Sequence, residues 1–98
     1  LRNWKVLLIF VKHTIGKIMK VGRIIREHKK LAEECMELAL IITQQLNKPK
    51  MDFEDEIIEE IGDVKWRLEQ VEKYYDGERI EERIEYKKNR DTVKDLSI

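Results

Sequence analysis

The chain has 98 residues, of which 41% are charged and 7% aromatic, with one proline, four glycines and one cysteine. That length suits one domain, and that balance favours long solvated helices over a sandwich or barrel. The lone Cys35 excludes an intrachain disulfide framework and fits a reducing, cytoplasmic setting.

A net charge of zero conceals an asymmetry. Residues 1–30 carry nine Lys/Arg and one acid, Glu27, whereas the rest carries eleven Lys/Arg and nineteen acids. The basic residues are spread along helix turns, so the split is read as neutralisation within the fold or across a dimer, and not as a nucleic-acid arm. The longest apolar run, Val6 to Val11, is far too short to span a bilayer. No small-residue cleavage site follows it, so it is a poor signal peptide, and no membrane partner is expected. The chain begins at Leu1, and Met19 offers an alternative start.

In chain order, residues 3–20 place Trp4, Leu8, Val11, Ile15 and Ile18 on one stripe, with steps of 4, 3, 4 and 3. This predicts a basic amphipathic helix over residues 1–18, with a break near Gly22. A second helix is expected over 23–46, its seam formed by Ile24, His28, Leu31, Cys35, Leu38 and Ile42. Asn47-Lys48-Pro49-Lys50 is the clearest stop, because proline disfavours helix in the residue before it and lacks a donor. Asp52 is the expected N-cap of a third helix, with Glu54, Asp55 and Glu56 at the positive end of its dipole. That helix, 53–75, has the strongest pattern: Ile57, Ile61, Val64, Leu68, Val71 and Tyr75. Asp76-Gly77 is read as a turn with Gly77 closing the helix. A more polar helix follows from about Glu78 to about Asp95, anchored by Ile80, Ile84, Val93 and Leu96. The expected fold is a single all-α domain over 1–98, a bundle of about four helices. A core this small calls for completion by dimerisation.

The chemistry-bearing residues are acids beside the two central seams. Glu34 and Glu37 each precede a seam position, as do Glu60 and Asp63. Residues three apart share a helix face, so antiparallel packing of the seams brings four carboxylates together. Such a cluster repels itself unless it is protonated or neutralised by a cation. An all-oxygen donor set suits Mg²⁺, with Mn²⁺ as substitute. A di-iron bundle needs Glu-x-x-His pairs. Phe10 and Ile25 stand three residues before His13 and His28, which argues against it. The competing reading of the acids is an ordinary solvated face, and spacing alone leaves the two balanced.

Glu33-Glu34-Cys35-Met36-Glu37, a spacer of 22 residues, then Glu60-Ile61-Gly62-Asp63 resembles the EExxE…ExxD signature of MazG-like nucleoside triphosphate pyrophosphohydrolases. Lys30-Leu31-Ala32 before the first motif and Glu59 and Val64 around the second fit the same pattern. Arg83 to Arg90 is similar to the last helix of phage-type members. The resemblance covers about residues 22–90, leaving 1–18 without a counterpart. It implies an all-α MazG-like fold that forms dimers or tetramers. It implies cleavage of a (d)NTP between the α and β phosphates, yielding a monophosphate and pyrophosphate. By that resemblance Glu34, Glu37, Glu60 and Asp63 hold the metal, and Glu33 takes a minor part in orienting or deprotonating water.

A basic stripe, Arg79, Arg83, Lys87, Arg90 and Lys94, lies on one face of the last helix. It is either a clamp for triphosphate, with Lys87, Arg90 and Arg83 as its candidates, or the partner of Glu82, Glu85 and Asp91. His28 is expected as a core or interface residue, Cys35 as a small core residue, and Trp66 and Tyr74 as packing or dimer contacts. Two other functions compete: a phosphoribosyl-ATP pyrophosphatase-like enzyme, and a non-catalytic helical interaction module with a basic N-terminal arm.

Overall fold

The computed structural model describes residues 4–96 of the chain. The expectations for Leu1 and for the side chains of Trp4 and Leu96 lie outside the described residues. Three helices account for nearly everything described: α1 (Trp4–Asn47), α2 (Glu54–Glu72) and α3 (Gly77–Leu96). No strand occurs among the described residues.

The expected first and second helices are one. α1 runs through Gly16 and Gly22 for 44 residues, about 66 Å at 1.5 Å per residue. A glycine costs a helix roughly 1 kcal/mol relative to alanine but removes no hydrogen bond. Neither glycine takes a positive φ, so nothing there stops the helix. Pro49 does stop it: α1 ends at Asn47. Gln45 then ties down the reversal. Its amide donates to the Met51 carbonyl at 2.7 Å and accepts the Phe53 N–H at 3.0 Å.

The expected caps are shifted. Phe53 holds the N-cap position of α2 with no side-chain cap, while Asp52, one residue further out, accepts the Glu54 N–H at 3.0 Å. Gly77 does not close α2. It opens α3, and Asp76 caps that helix by accepting the N–H groups of Glu78 at 3.0 Å and Arg79 at 3.4 Å. A helix can start straight after the turn because the Asp76 carboxylate satisfies donors that have no partner within the helix.

α1 and α2 form an antiparallel hairpin. Gln45 meets Phe53 near the turn, and Glu27 meets Tyr74 at the far end, where the tyrosine hydroxyl donates to Glu27 at 2.7 Å. The hairpin uses only the part of α1 beyond about residue 24; residues 5–23 are exposed all round. α3 packs extensively against neither helix. The outcome is a long, flat body of 76 × 33 × 14 Å with a radius of gyration of 21.5 Å, against about 13 Å for a compact chain of this length. Val71, 5% exposed, is the one buried side chain of the core among the described residues.

The contact line between the helices is rotated from the expected seams. On α1 the half-buried residues include Ile24, Leu31, Glu34, Leu38 and Ile41; Cys35 and Ile42, expected inside, are exposed. On α2 they include Ile57, Glu60, Val64 and Arg67, while Ile61 and Leu68 are 41% and 45% exposed; Tyr75, in the turn after α2, is 57% exposed. At about 100° per residue, Cys35, Ile42 and Leu46 on α1 and Ile61 and Leu68 on α2 turn roughly 50–110° from the contact line in one rotational sense. In antiparallel helices that puts them on one side of the hairpin. Glu37 and Asp63 turn roughly 70° the other way. The hairpin therefore has an apolar side and an acidic side.

Candidate functional site

The acidic side is built by the rotation just described. The expected seam would have kept Glu34 and Glu60 on the flanks. Instead both become half-buried contact residues, and Glu37, one turn beyond Glu34, leans over the same spot. One carboxylate oxygen each from Glu34, Glu37 and Glu60 lie within 4.8 Å of one another.

Like charges this close raise the cost of ionisation. The Glu34 carboxyl is held above its usual value of 4.5. Burial contributes most, then a hydrogen bond with Glu37, then the negative charges of Glu37 and Asp63, with Arg67 opposing them. Asp63 thus adds negative charge at the site, but its carboxylate is not one of the three that meet. Glu34 Oε2 and Glu60 Oε2 are buried without a hydrogen-bond partner. Unsatisfied buried carboxylate oxygens are costly, and a cation between them would satisfy both. The donor set is all oxygen, the kind that fits a hard divalent ion.

Two residues beside the cluster were not among the site candidates read from the sequence. Arg67, half-buried, offsets the charge on Glu34. It stands seven residues after Glu60, two helical turns along the same face, and that spacing was the available signal. Glu56 stands one turn before Glu60. It lines a groove of about 220 Å³ with Glu37, Leu40, Ile41, Gln44 and Glu60.

The other candidates are placed elsewhere. Glu33 is exposed and pairs with Lys30 at 3.4 Å, outside the cluster. On α3, the Arg83 guanidinium lies 4.7 Å from the centre of the Tyr86 ring, Arg90 pairs with its neighbour Asp91 at 3.5 Å, and Lys87 is exposed. Glu60 sits about 18 Å before the end of α2, and α3 starts beyond that end, so this stripe is not part of the acidic cluster in one protomer. His28 is an inter-helix residue as expected. Its Nδ1 lies 2.7 Å from the Ile24 carbonyl, which can only accept, so Nδ1 donates and Nε2 accepts the Tyr75 hydroxyl at 2.6 Å. Tyr74 is a packing residue, stacked on His28 at 6.0 Å, and Trp66 is 56% exposed. Among the described residues, no helix is long and apolar enough to cross a membrane. Comparisons of the chain with known protein families, with curated proteins and with solved structures give no match.

Proposed function

We propose that the chain is a Mg²⁺-dependent nucleotide pyrophosphohydrolase of MazG-like type, acting on a nucleoside triphosphate as a homodimer or larger assembly. The observation that carries this reading is the meeting of Glu34, Glu37 and Glu60 with two of their buried oxygens unpartnered. These are three of the four acids marked by the resemblance, drawn from two helices, with Glu37 and Glu60 23 residues apart in sequence.

In this reading Glu34, Glu37 and Glu60 would hold the ion, with the negative charge of Asp63 beside them. A bound Mg²⁺ there neutralises phosphate charge and lowers the pKa of an attacking water. Arg67 limits the repulsion among the acids before the ion binds. The groove beside the cluster, with Gln44 and Glu56 on its walls, provides donors and acceptors for the rest of the nucleotide. The triphosphate tail needs positive charge that the acidic side lacks. Lys87, Arg90 and Arg83 supply it from the α3 of another copy, because their own α3 leaves the hairpin. Dimerisation also covers the apolar side: two hairpins stacked through Ile42, Ile61 and Leu68 make a four-helix bundle, the number of helices a core of this kind uses.

The deciding experiment is a Mg²⁺-dependent product assay over a nucleotide panel that includes phosphoribosyl-ATP. Pyrophosphate is the expected product, and turnover restricted to phosphoribosyl-ATP would reassign the substrate. Orthophosphate as the first product, or no turnover on any nucleotide, rejects the reading. Salt-sensitive DNA binding without hydrolysis would favour the interaction module in its place.

A further inference from the structure

Residues 6–23 of α1 are all exposed, and they divide the helix surface into two unlike halves. At about 100° per residue, one half runs from Phe10 through Leu7, Ile18, Val11 and Ile15 to Leu8, and only Thr14 and Gly22 interrupt its apolar side chains. Lys12, Lys17, Lys20 and Arg23 all lie on the other half, with His13, Gly16, Val6 and Ile9 among them. No Asp or Glu occurs in residues 6–23. Cations mark both edges of the apolar half: Lys17 lies about 20° round from Phe10, and Lys12 about 40° round from Leu8. The hairpin does not obstruct that half. α1 meets α2 through Ile24, Leu31, Glu34 and Leu38, which at the same angle per residue lie roughly opposite the centre of the apolar half.

We propose that residues 6–23 of α1 dock on an anionic lipid surface, with the helix axis in the plane of the membrane. The occupant must present negative charge directly above an apolar phase. A second copy does not: the acidic and apolar sides of its hairpin are separate faces, and its own residues 6–23 would bring lysines to the same edges with no acid to meet them. An anionic bilayer offers both, since its phosphate and carboxylate headgroups lie over acyl chains. The apolar half enters the acyl boundary, and Lys12 and Lys17 extend from its two edges to the headgroups, keeping their charge in the polar layer. Lys20 and Arg23 add attraction from the upper half. α2 then stands on the solvent side of α1. Among the described residues, no helix is long and apolar enough to cross a membrane, and the expectation against a membrane partner rested on span length; a helix lying in the surface needs no span. The proposal does not depend on hydrolysis, so failure of the product assay leaves it standing.

Vesicle flotation of the full chain tests it. Wild type should float with vesicles of equal parts phosphatidylserine and phosphatidylcholine, and stay behind with phosphatidylcholine alone. Two variants separate the two halves of the helix. Lys12→Gln, Lys17→Gln and Lys20→Gln together should weaken binding to the anionic vesicles on the order of a hundredfold. Ile15→Gln with Ile18→Gln leaves every charge in place and should weaken it at least about tenfold. Circular dichroism checks that each variant keeps its helix; the comparison of the two vesicle types in wild type needs no variant. Equal binding to both vesicle types overturns the proposal. So does binding lost in the lysine variant but kept in the isoleucine variant, which is adsorption by charge alone. Absence of binding to anionic vesicles also overturns it. In that case a loss of self-association in the isoleucine variant, read by sedimentation velocity, would assign the apolar half to a contact between copies.

Discussion

The two halves of α1 are one continuous helix held in opposite ways. Beyond residue 24 the helix has a partner, and its polar groups are specific: Glu27 receives Tyr74, His28 receives Tyr75, and Gln45 ties the turn. Before residue 24 it has apolar residues on most sides, and residues 5–23 are all exposed. The paired half and α2 each place an acid, Glu34 and Glu60, at a contact position that a hydrophobic seam would fill with leucine. The unpaired half has apolar surface in excess. The charge cluster and the apolar surface are thus separated along a single helix: the hairpin carries the cluster, and the exposed apolar residues precede it.

The largest effect expected from breaking this contrast is at the cluster. Glu37→Gln keeps the shape and removes one charge. Activity should fall by more than the roughly 10–100-fold that loss of a ligand-supporting contact costs. In wild type, saturating Mg²⁺ should raise the melting temperature, because binding to the folded state alone adds about 2.7 kcal/mol at one hundred times Kd. The variant should lose most of that rise and be no less stable without metal. A full wild-type Mg²⁺ shift in Glu37→Gln would remove this residue from the site.

That experiment probes what was least visible in the sequence. The helices, the stop at Pro49 and the pairing of the two central segments follow from periodicity and local chemistry. The rotation of the contact line does not. Ile61 and Leu68 continue the apolar period of α2 as well as Ile57 and Val64 do, so hydrophobicity alone cannot tell which side faces α1 and which faces outward. The cluster depended on that choice: it brought in Glu34, Glu37 and Glu60, left Asp63 at the edge, and added Arg67 and Glu56. The break expected at Gly22 failed for another reason, since helix propensity ranks residues but does not terminate a helix whose hydrogen bonds are all available.

A second, smaller effect tests the outward apolar side. Ile61→Glu and Leu68→Glu place charge where a second hairpin would pack, and each should cost association about 2 kcal/mol or more. Monomer folding should be nearly untouched, because both side chains are already solvated. Light scattering across a dilution series reads the first effect, and circular dichroism the second. Loss of helix in the variants with no change in assembly would show that the outward side supports the protomer itself.

Tyr74 offers a milder test at the far end of the hairpin. Its hydroxyl is held above the usual value of 10.0, chiefly by the hydrogen bond to Glu27, then by burial and the negative charge of Glu27, with Arg23 opposing. A tyrosine raised in the folded state favours its protonated form there. Its contribution is therefore complete below pH 10 and is lost as pH rises through the folded value. Denaturant midpoints between pH 9 and 11 should decline in wild type and be flatter in Tyr74→Phe. Parallel profiles would show that this hydrogen bond does not hold the hairpin end.

The smallest effect separates the two halves of α1 most directly. Gly22 lies inside the helix at an ordinary negative φ, and a Cβ added there meets nothing within 4 Å. Gly22→Ala should therefore gain about 0.5–1 kcal/mol, the entropy that glycine loses in a helix. Where that gain appears depends on how the molecule opens. If the unpaired half frays on its own while the hairpin stays closed, local opening there is cheaper than global unfolding. At low protein concentration, hydrogen exchange should then slow over residues 5–23 and stay unchanged across α2. An equal slowing in α2 would mean that all of α1 unfolds as one unit with the hairpin, and the distinction between a held and an unheld half would be lost.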